Sequence, residues 1–239
     1  VSAPPPAAPP GRSGGGKLLV GVAALGLLGV VALLALGVGG TCSFEPASNG
    51  SEGYPLAAFL PPLALTELGD SSFCSDHGLR FPYLAGAMAN GIGSAEIVEA
   101  MAKAGMLGFY GAAGQSIPVI DAAIQRIAHG LPRAPYGFNL IHSPNETAHE
   151  EATADLYLRR QVRLVEASAF LDLTPAIVRY RLAGIHCDAD GRIVTPNRVI
   201  AKVSRIEVAT KFFSPAPERI IGELFARGTL SEEQARLAR

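Results

Sequence analysis

The chain has 239 residues, 49% of them apolar, which is enough for one large domain or two small ones around a sizeable core. Its formal net charge is -1, so it lacks the global basic field of a nucleic-acid binder. Three cysteines, Cys42, Cys74 and Cys187, match neither a zinc spacing nor an even-numbered disulfide framework, and read as ordinary thiols in a reducing compartment.

Residues 1–17 are rich in proline, alanine and glycine and are expected to be disordered. The uncharged apolar run Leu18 to Val38 meets the length of about 20 residues needed for a bilayer-spanning helix. Arg12 and Lys17 precede it and no basic residue follows before Arg80, so a spanning helix would keep the N-terminus cytoplasmic. The alternative is a non-native N-terminus joined to a soluble enzyme. Residues 39–80 are a lead-in, where Pro61 and Pro62 forbid one continuous helix. The sequon Asn49-Gly50-Ser51 has meaning only if that segment is exported.

From Tyr83 to Gly114 the sequence YLAGAMANGIGSAEIVEAMAKAGMLGFYGAAG reads as strand, glycine-rich turn, helix, strand. Ser94 suits an N-cap, Ala95 to Ala104 favours helix, and Gly105 fits the left-handed residue that ends it. Met106 to Tyr110 is the second strand, and an apolar-faced helix follows over Ile117 to Ala128, with Val119, Ile120, Ala123, Ile124 and Ile127 at helical spacing. Tyr136 to Ile141 is the third strand, with an acidic helix start at Glu146 to Glu151, and Leu164 to Phe170 is the fourth. Thr174-Pro175 opens a helix to Leu182. Asp190-Gly191 marks a turn, and Arg198 to Val203 is the fifth strand. Ser204 and Glu207 predict a capping box opening a helix over Arg205 to Phe213. Two helices without an intervening strand, Ala216 to Ala226 and Ser231 to Ala238, form a helical insertion over 214–239.

This alternation over 81–213 implies a parallel α/β sheet covered by helices, either doubly wound or part of an eight-stranded barrel; periodicity does not choose between them. The turn Gly86 to Gly93 departs from the G-x-G-x-x-G spacing, so it is a tight turn or a close approach to a flat ligand. Asn139, inside an apolar strand, is a satisfied core amide or a hydrogen-bonding group for a planar heterocycle. Lys202, between Ala201 and Val203, is a charge snorkelling to solvent or a cation at an active-site mouth. The five histidines have no metal spacing, and Ser168 lacks the G-x-S-x-G turn of a hydrolase.

Five blocks in order, FPYLAGAMANGIGS, AGMLGFYGAAG, PYGFNLIHSP, VEASAFLDLTPAIVRYR and NRVIAKVSRIEVA, resemble the trans-acting enoyl reductases of polyunsaturated fatty acid and trans-acyltransferase polyketide synthases (the PfaD type), which group with the nitronate monooxygenase-like flavoproteins. The resemblance implies a (β/α)8 TIM-barrel type fold, here with about five βα units. It implies FMN as cofactor, NAD(P)H as cosubstrate, and a 2,3-enoyl thioester on an acyl carrier protein as substrate. It places the backbone of Gly86, Ala87 and Met88 along the isoalloxazine ring, Asn139 at the ring edge and Lys202 near N1 and O2; Ser168 is a weaker cofactor contact, and His142 lies nearby. The family pattern runs on into a Ser-Gly-Gly-His block and FMN-phosphate strands beyond what is seen before Arg239, so an incomplete barrel with little activity on its own is expected. The resemblance implies a cytoplasmic enzyme, with anchoring through 18–38 as the alternative. Competing functions are nitronate oxidation on the same fold, and an inactive fragment or membrane-tethered scaffold docking on a synthase.

Overall fold

The computed structural model describes residues 62–239. The apolar run 18–38, the expected disorder of 1–17, the proline pair's first member and Cys42 lie outside the described residues. Among the described residues no helix is long and apolar enough to cross a membrane.

After a short 3-10 turn at Leu65–Glu67 comes α1 (Ser71–His77), begun by Asp70, whose side chain accepts from the Ser72 N–H, and ended at Gly78 in the left-handed region. β1 (Leu84–Ala85) leads through the glycine-rich turn to α2 (Ala95–Lys103), capped by the Ser94 hydroxyl. β2 (Leu107–Tyr110), α3 (Ile117–Gly130), β3 (Gly137–Ile141), α4 (Thr147–Arg159), β4 (Leu164–Ser168) and α5 (Pro175–Leu182) continue the alternation. A small antiparallel hairpin, β5 (His186–Cys187) with β6 (Ile193–Val194), precedes β7 (Arg198–Ala201). Then come α6 (Ile206–Phe213), α7 (Glu218–Ala226) and α8 (Glu232–Leu237).

The main sheet has the order β1-β2-β3-β4-β7, and every neighbouring pair is parallel. Successive strands of this sheet are spatial neighbours, and the order does not reverse among the described residues. A doubly wound sheet reverses at a switch point, whereas a barrel does not. The choice that periodicity left open therefore falls to the barrel type, of which five strands form a curled part.

The two faces of the sheet differ. Val165, Ala167, Phe138, Leu140, Val199 and Ala201 pack outward with Ile120, Ile124, Ile127, Tyr157, Ile177 and Tyr180 of the helices. Leu107, Phe109, Leu164 and Ile200 form a smaller inner cluster, joined by Phe73 and Leu79 from around α1 and by Leu84 and Ala87. The period-2 alternation along each strand sorts these sets. Gly137 is required here, because a Cβ would stand 2.2 Å from the Phe109 ring.

Several expectations are corrected. The Ser204–Glu207 capping box does not form; Arg205 takes the N-cap position of α6 without a side-chain cap bond, and its backbone is extended there. α3 runs on to Gly130, and Val119 on it is 45% exposed rather than part of the apolar face, because helical rotation carries it past the edge of the buried stripe. The hairpin β5–β6 sits in the stretch read only as a turn; its two-residue strands are too short to show periodicity. Lys202 lies one residue beyond β7 rather than within the strand.

Candidate active site

The C-terminal ends of β1, β3, β4 and β7 gather at one rim. The loop after β1 is seated by the turn after β2. Gly93 N–H donates to the Met88 carbonyl (3.1 Å), Gly111 N–H to the Gly93 carbonyl (2.8 Å), Gly91 N–H to the Gly111 carbonyl (2.9 Å) and Asn90 N–H to the Ala113 carbonyl (2.7 Å). Asn90 takes a positive φ of 56°, which its short polar side chain tolerates. A Cβ on Gly111 would fall 1.6 Å from the Met88 carbonyl oxygen, so this close approach requires glycine.

Glu166 on β4 is the hub of the rim. Its carboxylate is almost fully buried on the inner face. Oε2 accepts the Ala87 N–H at 2.5 Å, and Oε1 pairs with Lys202 Nζ at 2.8 Å. Gly86 lies against the same carboxylate, where a Cβ would be 3.4 Å from Oε1. An isolated buried carboxylate is costly, and these two partners offset that cost. Lys202 itself keeps 43% of its side chain exposed.

Asn139 on β3 stands opposite Glu166 in the ladder. Its Nδ2 donates to Ser168 Oγ (2.8 Å) and to the Glu166 carbonyl (3.2 Å). Both of these bonds use Nδ2, which leaves Oδ1 to accept from an incoming group. Beneath it, the buried Tyr157 hydroxyl donates to the Asn139 backbone carbonyl at 2.6 Å; burial raises that phenol well above its ordinary range, so it stays a donor. Ser168 ends β4 and is followed by Ala169 at a positive φ of 63°, a strained position at the edge of the site.

Of the six residues singled out from sequence, Gly86, Ala87 and Lys202 meet at Glu166, while Asn139 and Ser168 hold each other one position along. Met88 follows Ala87 in the same loop with 43% of its surface exposed. His142 does not join this group. Its Nδ1 pairs with Glu150 Oε2 at 2.8 Å, its ring stacks on Phe170 at 5.4 Å, and Thr174 Oγ1 donates to the other Glu150 oxygen. This part-buried clasp ties the loop after β3 to α4 and to the start of α5. Glu166 and Glu150 were not singled out from sequence. The available signal for Glu166 was a lone carboxylate in the apolar strand LVEAS, to be matched with the lone lysine in RVIAKV. A cavity of about 370 Å³ lies elsewhere, between α5, the hairpin and the last helices; it is lined by Leu173, Ile177, Phe212 and Leu237, and none of the six candidates borders it.

No protein-family model matches the chain. One of the polyunsaturated fatty acid synthase proteins of Thraustochytrium sp. is 46% identical over 183 residues, which are 77% of this chain and 12% of that protein. The polyketide biosynthesis protein ThaF of Burkholderia thailandensis is 45% identical over 180 residues, 75% of this chain and 15% of the relative. The chain thus spans a small part of the length of these curated relatives. Among solved structures, the enoyl reductase domain of MlnA, from the macrolactin biosynthesis cluster of Bacillus amyloliquefaciens, superposes with a TM-score of 0.70 at 42% identity, covering 73% of this chain and 40% of that one. The chain belongs to the same family as the MlnA enoyl reductase domain and the matching segments of these fatty acid synthase and polyketide biosynthesis proteins.

Proposed function

We propose that the chain provides the strand-end rim of an FMN-dependent enoyl reductase serving a polyunsaturated fatty acid or polyketide synthase. When bound, FMN would supply hydride chemistry, with electrons drawn from NAD(P)H and delivered to a 2,3-enoyl thioester on an acyl carrier protein. The observation that carries this reading is the convergence of Ala87, Glu166, Lys202 and Asn139 at the C-terminal ends of parallel strands, on a frame like that of the MlnA domain. The donor set fits a flat heterocycle with a polar edge. Gly86 and Ala87 bring backbone to the surface without bulk, Met88 offers an exposed soft apolar side chain, Asn139 has Oδ1 free to accept, and Lys202 brings a half-exposed cation.

In this reading the seated Gly86–Met88 backbone orients the ring. Asn139, with its amide fixed by Ser168 and Glu166, holds the ring edge. Lys202 sits where negative charge develops on the reduced cofactor. The inner apolar cluster below excludes water from that side. The cytoplasm, where NAD(P)H and carrier-bound thioesters occur together, is the proposed location. The matched relatives are a fatty acid synthase protein and a polyketide biosynthesis protein, which favours enoyl thioesters over nitronates on the same frame. The test is NAD(P)H oxidation by the purified, FMN-supplied chain with a crotonyl thioester and, separately, O2 uptake with a nitronate and no NAD(P)H. Turnover of the thioester alone supports the proposal. Turnover of the nitronate alone favours the oxidase. Turnover of neither, together with failure to bind flavin, identifies an inactive scaffold.

A further inference from the structure

Glu166 spans a distance that sheet pairing does not. β1 and β4 are separated in the sheet by β2 and β3, and β7 lies beyond β4. The Glu166 carboxylate pairs with Lys202 just after the adjacent β7, and nevertheless also accepts from Ala87 just after β1. It therefore bridges the concave face of the curled sheet. Leu164, Ile200, Phe109 and Leu107 form the apolar cluster of the inner layer, and the ladder partner of Glu166, Asn139, is uncharged. Packing alone would be served at least as well by a methionine or leucine, because a buried ion pair is often no more stabilising than an apolar group of the same volume. A carboxylate here calls for an electrostatic explanation.

We propose that Glu166 is a positioning residue that holds Lys202 and offsets its charge, so that the rim presents a neutralised pair rather than a bare cation to the bound cofactor. This inference rests on the flavin reading above. A lone cation beside a flavin favours the reduced, negatively charged form, and a carboxylate paired with that cation opposes it. The Glu166–Lys202 pair thus sets how readily the cofactor is reduced by NAD(P)H and how readily it gives hydride up.

The test is the midpoint potential of FMN bound to the full chain, measured by equilibration with a reference dye, in four proteins. Glu166→Gln shifts the potential upward and Lys202→Met shifts it downward, each by about tenfold in the reduction equilibrium, or about 30 mV for a two-electron couple. The double variant, which removes both charges, returns close to the wild-type value. Should Glu166→Gln fail to fold, Glu166→Met, apolar and of similar length, carries the same upward expectation. A purely structural clasp predicts weaker flavin binding without opposite potential shifts, and that result overturns the proposal. So does an unmoved or lowered potential in Glu166→Gln with flavin still bound, which leaves the flavin reading intact. A wild-type chain that binds no flavin overturns that reading, and this one with it.

Discussion

Gly111→Ala tests whether the loop after β1 is seated as described. The new Cβ would lie 1.6 Å from the Met88 carbonyl oxygen and 2.6 Å from its carbon. Ordinary contact begins at 3.4 Å, so the oxygen would have to retreat by about 1.8 Å. Both opposing groups are backbone, and neither has a rotamer to swing away. That retreat breaks or stretches the bonds Gly93 N–H to Met88, Gly111 N–H to Gly93 and Gly91 N–H to Gly111. At about 1 kcal/mol net for each bond plus about 1–3 kcal/mol of overpacking, the loss is roughly 4–6 kcal/mol. Gly222→Ala is the control. It lies within α7, and a Cβ there meets nothing within 4 Å, so the exchange should stabilise by about 0.5–1 kcal/mol. Urea unfolding followed by circular dichroism reads both variants. A Gly111→Ala protein within about 0.5 kcal/mol of wild type would refute the close approach of the two turns, since the seated loop allows no such result.

Tyr157→Phe should cost about 1–2 kcal/mol in urea unfolding, because the buried Asn139 carbonyl loses its donor, and the Asn139 side-chain amide signals should shift in the NMR spectrum. Lys202→Met strands the buried Glu166 carboxylate with only the Ala87 N–H, so it should cost about 1–3 kcal/mol, whereas Lys211→Met at an exposed pair should cost less than about 1 kcal/mol. Glu96 is held down to about 2 by the Ser94 hydroxyl first, then by its own backbone N–H and by Arg126. A depressed carboxyl contributes stability above its ordinary range and loses it as pH falls through about 2, so an NMR titration should find Glu96 ionised down to that pH and Ser94→Ala should move it upward.

Much of the frame was legible because local chemistry and tertiary packing agree. Ser94 and Thr174 cap helices where their side chains predict, and Gly105 is left-handed after α2. Where one signal competed with another, the reading slipped. Ser204 and Glu207 carry the capping-box spacing, yet α6 starts after Arg205 and the box is not made. The hairpin β5–β6 has too few residues per strand for any period to show. Barrel and doubly wound sheets share the same strand-helix alternation, and only the spatial order of strands separates them. At the rim, sequence exposed Asn139 and Lys202 because polar groups in apolar strands need partners. The partner itself, Glu166, was hidden: Ala87 and Lys202 lie 79 and 36 positions away from it, and it takes the pairing of β4 with β7 to bring Lys202 to it and the curl of the sheet to bring Ala87.

The central claim is that this rim holds a flavin, and titrating FMN with the 239-residue chain while following flavin fluorescence tests it most directly. The account predicts saturable quenching at one FMN per chain, weakened in Asn139→Ala. Fluorescence that stays at the level of free FMN through a large excess of folded protein would contradict it.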